Sequence, residues 1–139
     1  MPINHAIVLD NRPEAEVSAS NFKMITAETP ALQEGQVLVK HHYLSLDPYM
    51  RGRMNAGKNY AQPQPLGEPM IGGTVGEVAE SKNAKFAVGQ TVQCMGGWQN
   101  YSVINADVPG ALKRVNAEKI SMSHYLGAVG MPGVTAWYG

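Results

Sequence analysis

The sequence lacks several features that would assign it to a particular class of protein. Its single cysteine, Cys94, excludes an internal disulfide and fits a reducing compartment. No apolar run is long enough to span a bilayer, and residues 1–5 lack the basic and apolar segments of a signal peptide. We therefore expect a cytoplasmic protein with no membrane partner, in which Cys94 is a small buried residue.

Charge is sparse and balanced, with eleven Lys and Arg against eleven Asp and Glu, so the net charge at pH 7 is zero. Without a basic run there is no electrostatic reason to expect a nucleic-acid partner. The histidines also fail to form a ligand pattern. His41 and His42 are adjacent in a predicted strand and face opposite sides, while His5 and His124 are isolated. The residues themselves therefore predict no metal site.

Short strand-like segments separated by Gly and Pro dominate the first two-thirds of the chain. We predict strands in six segments, and a turn leading into a further strand over residues 86–92. The six are residues 5–9, 22–27, 36–46, 72–80, 98–104 and 112–115. The glycine-rich run at 72–80 indicates a sharp bend or the close approach of another backbone. This pattern predicts a mainly β fold, a compact and partly open β-barrel with short helices.

Helical segments are few and short. Asp47 fits an N-cap and Pro48 the first helical position, which predicts a helix that runs to Met54. Residues 121–129 are compatible with a helix, residues 130–133 interrupt it, and residues 134–139 read as the start of another. Because that last segment has no C-capping stretch, we expect the natural protein to continue beyond it.

Residues 43–54 closely resemble the signature of one enzyme family, the prostaglandin reductase, alkenal/one reductase and curcumin reductase group. Segments 34–39, 72–75 and 130–139 fall in the same order as in that group. The group consists of zinc-independent, NADP-dependent oxidoreductases of the medium-chain dehydrogenase/reductase superfamily. The resemblance implies a GroES-like substrate domain over residues 1–118. Residues 119–139 would be connecting helices and the start of a Rossmann domain that is absent from this chain.

The same resemblance implies an activity. NADPH would deliver hydride to the C=C bond of an α,β-unsaturated ketone or aldehyde, and the full-length enzyme would be a homodimer. A hydrogen-bond donor must hold the developing enolate charge, and in relatives it comes from the missing domain. The zinc ligands of related alcohol dehydrogenases correspond to Leu44, Met70 and Met131, and the Glu that follows the histidine ligand corresponds to Ile71. None of these side chains suits zinc, so we expect no zinc.

By resemblance, Tyr49 lines the substrate pocket, where it can stack on a flat conjugated molecule; otherwise it anchors the short helix. Arg51 is a second expected substrate-site residue, or it forms a structural ion pair, for example with Asp47 or Glu68. Tyr60 could line the rim of the pocket, or it could be an ordinary loop tyrosine.

Met131 and Thr135 resemble positions that pack against the nicotinamide ring, although Met131 could equally fill the core. Neither glycine-rich segment forms a dinucleotide fingerprint. In residues 127–133 the spacing of the glycines is wrong, and residues 72–76 open a strand, so no helix follows them. We therefore expect weak NADPH binding by this chain alone.

Two other functions stay open. One is a zeta-crystallin-like quinone reductase, although that group has an asparagine at the position of Leu44. The other is a GroES-like module that binds a partner and catalyses nothing. The physiological substrate is not encoded in any motif. If a C-terminal tail completes the barrel, as in relatives, the chain without it leaves an edge or an apolar surface uncovered, and self-association is expected.

Overall fold

The computed structural model describes residues 1–57 and 61–139. Within these residues the chain forms seven β-strands, two α-helices and two 3-10 helices. The strands are β1 (Ile3–Leu9), β2 (Phe22–Glu28), β3 (Gln36–Leu44), β4 (Thr74–Ser81), β5 (Thr91–Cys94), β6 (Tyr101–Asn105) and β7 (Leu112–Arg114). The α-helices are α1 (Tyr49–Arg53) and α2 (Met131–Tyr138), and the 3-10 helices are Ala19–Asn21 and Met122–Leu126.

The strands form a curled half-barrel. β1 and β2 pair antiparallel, from Ile3 opposite Glu28 to Leu9 opposite Phe22. The other five strands form a sheet in the order β6-β3-β4-β5-β7, with every neighbouring pair antiparallel. The segment just before β6 joins the two sheets. There, the Ile7 amide donates to the Trp98 carbonyl at 2.8 Å, and the His41 amide donates to the Asn100 carbonyl at 2.8 Å. The predicted mainly β, partly open barrel is confirmed.

Two apolar clusters hold the half-barrel together. The first lies inside the five-stranded sheet and consists of Val37, Val39, Val78, Phe86, Val92, Cys94 and Leu112. The second, which we call the methionine cluster, contains Leu9, Met50, Met54 and Met70 and lies under α1. Leu9 and Met70 are completely buried. The methionine cluster therefore fixes α1, which carries the predicted substrate residues Tyr49 and Arg51, to the barrel.

Gly76 shows why β4 is rich in glycine. A Cβ atom there would overlap the carbonyl oxygen of Lys40 in the paired strand β3. The register between β3 and β4 shifts near the same point, between His41 and Tyr43. The close backbone approach predicted for this run is confirmed.

Several predicted boundaries are wrong. Asp47 does not cap α1 with its side chain; Pro48 occupies the cap position, and the Asp47 carbonyl accepts from the Met50 amide. The segment predicted as a helix over 121–129 forms only the 3-10 helix. The following helix begins at Met131 and not at residue 134. A proline in the first turn costs no hydrogen bond, so Pro132 starts this helix where we expected an interruption.

Within residues 1–57 and 61–139, no helix has both the length and the apolar character to cross a membrane.

Candidate functional site

Helix α1 carries the centre of the candidate site. Tyr49 is half-buried and packs against the methionine cluster. Arg53, four residues later, packs on the ring, with its guanidinium carbon 5.8 Å from the ring centroid. Side chains four residues apart share one face of a helix, so even this short helix can place the two groups together. The Tyr49 ring thus contacts both a cation and an apolar cluster.

Gly72 brings the neighbouring wall close to α1. A Cβ atom on this residue would lie 2.7 Å from Leu44, 3.0 Å from Met50 and 3.3 Å from Trp98. Trp98 in turn stacks on Phe22, with ring centroids 5.4 Å apart. Because a larger residue at this point would push the three side chains apart, glycine is required for their packing.

An open cleft of about 430 Å³ lies beside this wall. Its lining combines apolar side chains with several amides, one exposed carboxylate and one guanidinium. The lining residues are Arg53, Gln62, Pro63, Gln64, Pro65, Glu68, Pro69, Met70, Ile71, Met95, Gly96, Gly97 and Gln99. A mostly apolar cleft with a few polar groups is typical of a small-molecule site.

Arg51 points to a different part of the chain. Its guanidinium donates to the Asn55 side chain at 2.8 Å and to the Ala15 carbonyl at 2.6 Å. Within residues 1–57 and 61–139 Arg51 forms no ion pair with Asp47 or Glu68, the partners that we gave as examples of the structural alternative. Arg51 ties the end of α1 to the loop after β1.

The expected cofactor residues lie together on α2. Met131 is 62% exposed, and the Thr135 hydroxyl donates to the Met131 carbonyl at 2.9 Å. Neither of these residues is among those that line the cleft in the described part of the chain, and Tyr49 reaches the cleft only through its contact with Arg53. Tyr60, the third expected substrate residue, lies outside the described residues.

The glycines before α2 serve internal packing. A Cβ atom at Gly130 would overlap the Tyr125 carbonyl oxygen, and one at Gly133 would overlap the Ala128 carbonyl oxygen. These glycines therefore allow the chain to fold back on itself before α2.

The remaining chemically active side chains are engaged within the sheet. His41 is half-buried and its Nε2 lies 2.7 Å from the Ser102 hydroxyl, while His42 lies 3.4 Å from Glu77. Burial, with a smaller contribution from His42, lowers the pKa of His41 from 6.5 to about 4. Burial raises the pKa of the Cys94 thiol despite hydrogen bonds from Thr74 and Ser102, so this cysteine is a poor nucleophile.

Metal-binding side chains are dispersed. In the described ranges, 1–57 and 61–139, no three His, Cys, Asp or Glu residues come close enough to hold a metal ion. The positions that correspond to zinc ligands in related enzymes are filled differently: Leu44 packs against Gly72, and Met70 is fully buried in the methionine cluster.

Arg53 was missed by the sequence analysis, although its position gave a usable signal. It follows Tyr49 by four residues in a predicted helix, and this spacing places a cation over an aromatic ring.

Comparison with known proteins gives consistent matches. Residues 5–112 match the family described as the N-terminal domain of oxidoreductase. The NADPH-dependent curcumin reductase of Escherichia coli (strain K12) is 39% identical over 136 residues, which cover 98% of this chain and 39% of that protein. Prostaglandin reductase 1 of Rattus norvegicus is 40% identical over 123 residues, 86% of this chain and 34% of that protein.

A solved structure agrees in fold. CurA from Vibrio vulnificus in complex with NADPH superposes with a TM-score of 0.86 at 41% identity, covering 96% of this chain and 39% of that one. The chain therefore spans about two-fifths of the length of the relatives that it matches.

Proposed function

The chain belongs to the family of oxidoreductase N-terminal domains, and from this premise we propose that it forms the substrate domain of an NADPH-dependent reductase. The whole enzyme would transfer hydride to the C=C bond of α,β-unsaturated ketones or aldehydes, without zinc. Similar proteins bear the names NADPH-dependent curcumin reductase and prostaglandin reductase 1, which supports a reductase of small molecules.

The observation that carries the proposal is the arrangement around Tyr49. Its ring contacts the methionine cluster and the Arg53 guanidinium, and Arg53 also lines the cleft. A tyrosine positioned by these two contacts can offer a rigid, flat surface to a conjugated carbonyl compound. We propose that Tyr49 contacts the substrate directly. Arg51 would contribute by fixing α1 through its bonds to Asn55 and Ala15.

NADPH would supply the hydride when it is bound. In this chain we assign Met131 and Thr135 to one wall of the nicotinamide site. The exposure of Met131 supports that assignment, since a thioether on the surface of a helix can cover a flat ring. The Thr135 hydroxyl donates to the Met131 carbonyl, and this hydrogen bond fixes the position of the hydroxyl oxygen. That oxygen keeps lone pairs that can accept a hydrogen bond from the cofactor. The pyrophosphate and the donor to the substrate oxygen would be held by residues outside this chain.

Chemistry without zinc is supported by the side chains at the ligand-equivalent positions. Leu44 has no donor atom, and Met70 is completely buried among other apolar side chains. Polarisation of the substrate carbonyl would then depend on hydrogen bonds. We also propose that Tyr60 lies at the rim of the pocket and that the enzyme is a homodimer. A cytoplasmic location completes the proposal, and the single buried cysteine fits such a location.

The test is NADPH-dependent reduction of a simple aryl enone by the complete product of the source gene, in wild-type form and with Tyr49→Phe and Tyr49→Ala. If the ring positions the substrate, Tyr49→Phe keeps most of the activity and Tyr49→Ala loses roughly 100-fold in kcat/KM, the order expected when a reactant is misplaced. Tyr43→Ala is the control, because Tyr43 is an exposed tyrosine of β3 that belongs neither to α1 nor to the methionine cluster. Equal effects of Tyr43→Ala and Tyr49→Ala would contradict the assignment, and activity on quinones but not on enones would contradict the substrate class.

A further inference from the structure

Three arginines lie in or beside α1, and two of them donate hydrogen bonds to other parts of the fold. Arg12 donates to the carbonyls of Met54 and Gln64 at 2.8 and 2.9 Å. Arg51 donates to Asn55 and to the Ala15 carbonyl. These two side chains therefore hold the ends of α1 and the loop that follows it.

Arg53 differs from both. Its side chain is half-buried and stacks on Tyr49, yet within residues 1–57 and 61–139 its guanidinium has neither a hydrogen-bond acceptor nor a carboxylate partner. A guanidinium carries five N–H donors, and partial burial without an acceptor is unfavourable for such a group. Arg53 thus brings unused donor capacity to the cleft.

Among the other described lining residues, none is better suited than Arg53 to bind an anionic group of a substrate. Arg53 is the only cationic side chain among the described lining residues. The Gln64 amide is already bonded to the Pro69 carbonyl and the Ile71 amide. Glu68 is exposed, and solvent screens its charge. Met70, Ile71 and Met95 supply an apolar surface beside the guanidinium.

We propose that Arg53 is a specificity-determining residue that selects substrates with an anionic oxygen, such as a carboxylate or an ionised phenol. The inference deepens the proposed function and rests on it: the conjugated part of the substrate lies on Tyr49, and the anionic oxygen at the other end binds Arg53. A planar guanidinium can bind a carboxylate through two parallel hydrogen bonds, which fixes orientation as well as charge.

The test compares a para-carboxylated benzylideneacetone with its methyl ester, using the complete gene product and NADPH. The wild type should prefer the carboxylate in kcat/KM by roughly 10- to 100-fold, the value of one charge-assisted hydrogen bond. Arg53→Gln should remove this preference, chiefly through a higher KM for the carboxylate, and the ratio of kcat/KM between the two compounds is the quantity compared. Arg53→Lys should restore part of the preference, because it keeps the charge without the planar fork.

Arg114→Gln is the matched control. Arg114 also lies 5.8 Å from an aromatic centroid, that of Phe86, but outside this cleft. This variant removes the same charge from the protein and should keep the preference. Equal losses with both substrates in Arg53→Gln would show a purely structural role and overturn the inference, as would an unchanged preference.

A failure of the proposed function would look different, since the wild type would reduce neither compound. Calorimetric binding of the two compounds in the presence of NADPH then decides the inference separately. Tighter binding of the carboxylate that is lost in Arg53→Gln supports it, and equal binding of the two compounds refutes it.

Discussion

Acidification should weaken the fold through His41. In the folded protein, burial lowers the pKa of this side chain from 6.5 to about 4. Between these values the unfolded chain binds a proton that the folded chain does not, so stability falls as the pH falls through this window. The difference of about 2.5 pH units corresponds to roughly 3 kcal/mol of unfolding free energy. This contribution is fully present above pH 6.5 and fully lost below about pH 4.

Urea unfolding of the wild type and of His41→Gln at pH 7, 6 and 5 measures the effect. Glutamine can keep a hydrogen bond to Ser102 but cannot take up a proton in this range, so the variant should lose the His41 share of the pH dependence. His42→Gln is the control: it removes the exposed neighbouring histidine and should retain most of the dependence. A His41→Gln variant whose stability falls as steeply as that of the wild type would refute the reasoning.

Three further predictions concern packing, association and cofactor binding. Gly76→Ala should lower the unfolding free energy by about 1–3 kcal/mol, because the new Cβ overlaps the Lys40 carbonyl. Gly52→Ala should not lower it, because the new Cβ would have open space. Equal shifts in melting temperature for the two variants would disprove this account. The 139-residue chain should self-associate through α2, where Trp137 is 86% exposed, and Trp137→Ser should reduce this in sedimentation experiments; a monomer at all concentrations would contradict it. The same chain should bind NADPH only weakly in calorimetry, and submicromolar affinity would show that our assignment of the phosphate site is wrong.

The order and nature of the strands were predictable because local signals determine them. Glycine and proline separate short runs of β-branched and aromatic residues, and each predicted run overlaps an observed strand. The boundaries were less predictable, since they depend on partners. The strand predicted from Trp98 begins only at Tyr101, because residues 98–100 pair with β1: the Trp98 carbonyl accepts from the Ile7 amide, and the Asn100 amide donates to the His5 carbonyl.

The candidate site was predictable only in part. Tyr49 was found through resemblance, and its position on a helix with Arg53 four residues later is a local property of the sequence. The bonds of Arg12 to Met54 and Gln64 join residues separated by 42 and 52 positions, and no local pattern indicates such contacts. The bonds of Arg12, together with that of Arg51 to the Ala15 carbonyl 36 positions away, distinguish these two arginines from Arg53 in the cleft, and only the structure shows this distinction.

Identification of the reaction product tests the central claim most directly. The complete gene product would be incubated with NADPH, an aryl enone and a metal chelator, and the product analysed by mass spectrometry and NMR. The predicted product is a saturated ketone, because hydride reaches the C=C bond. It should form at the same rate with and without the chelator, because no zinc is involved. An allylic alcohol, or activity that the chelator abolishes, would contradict the account.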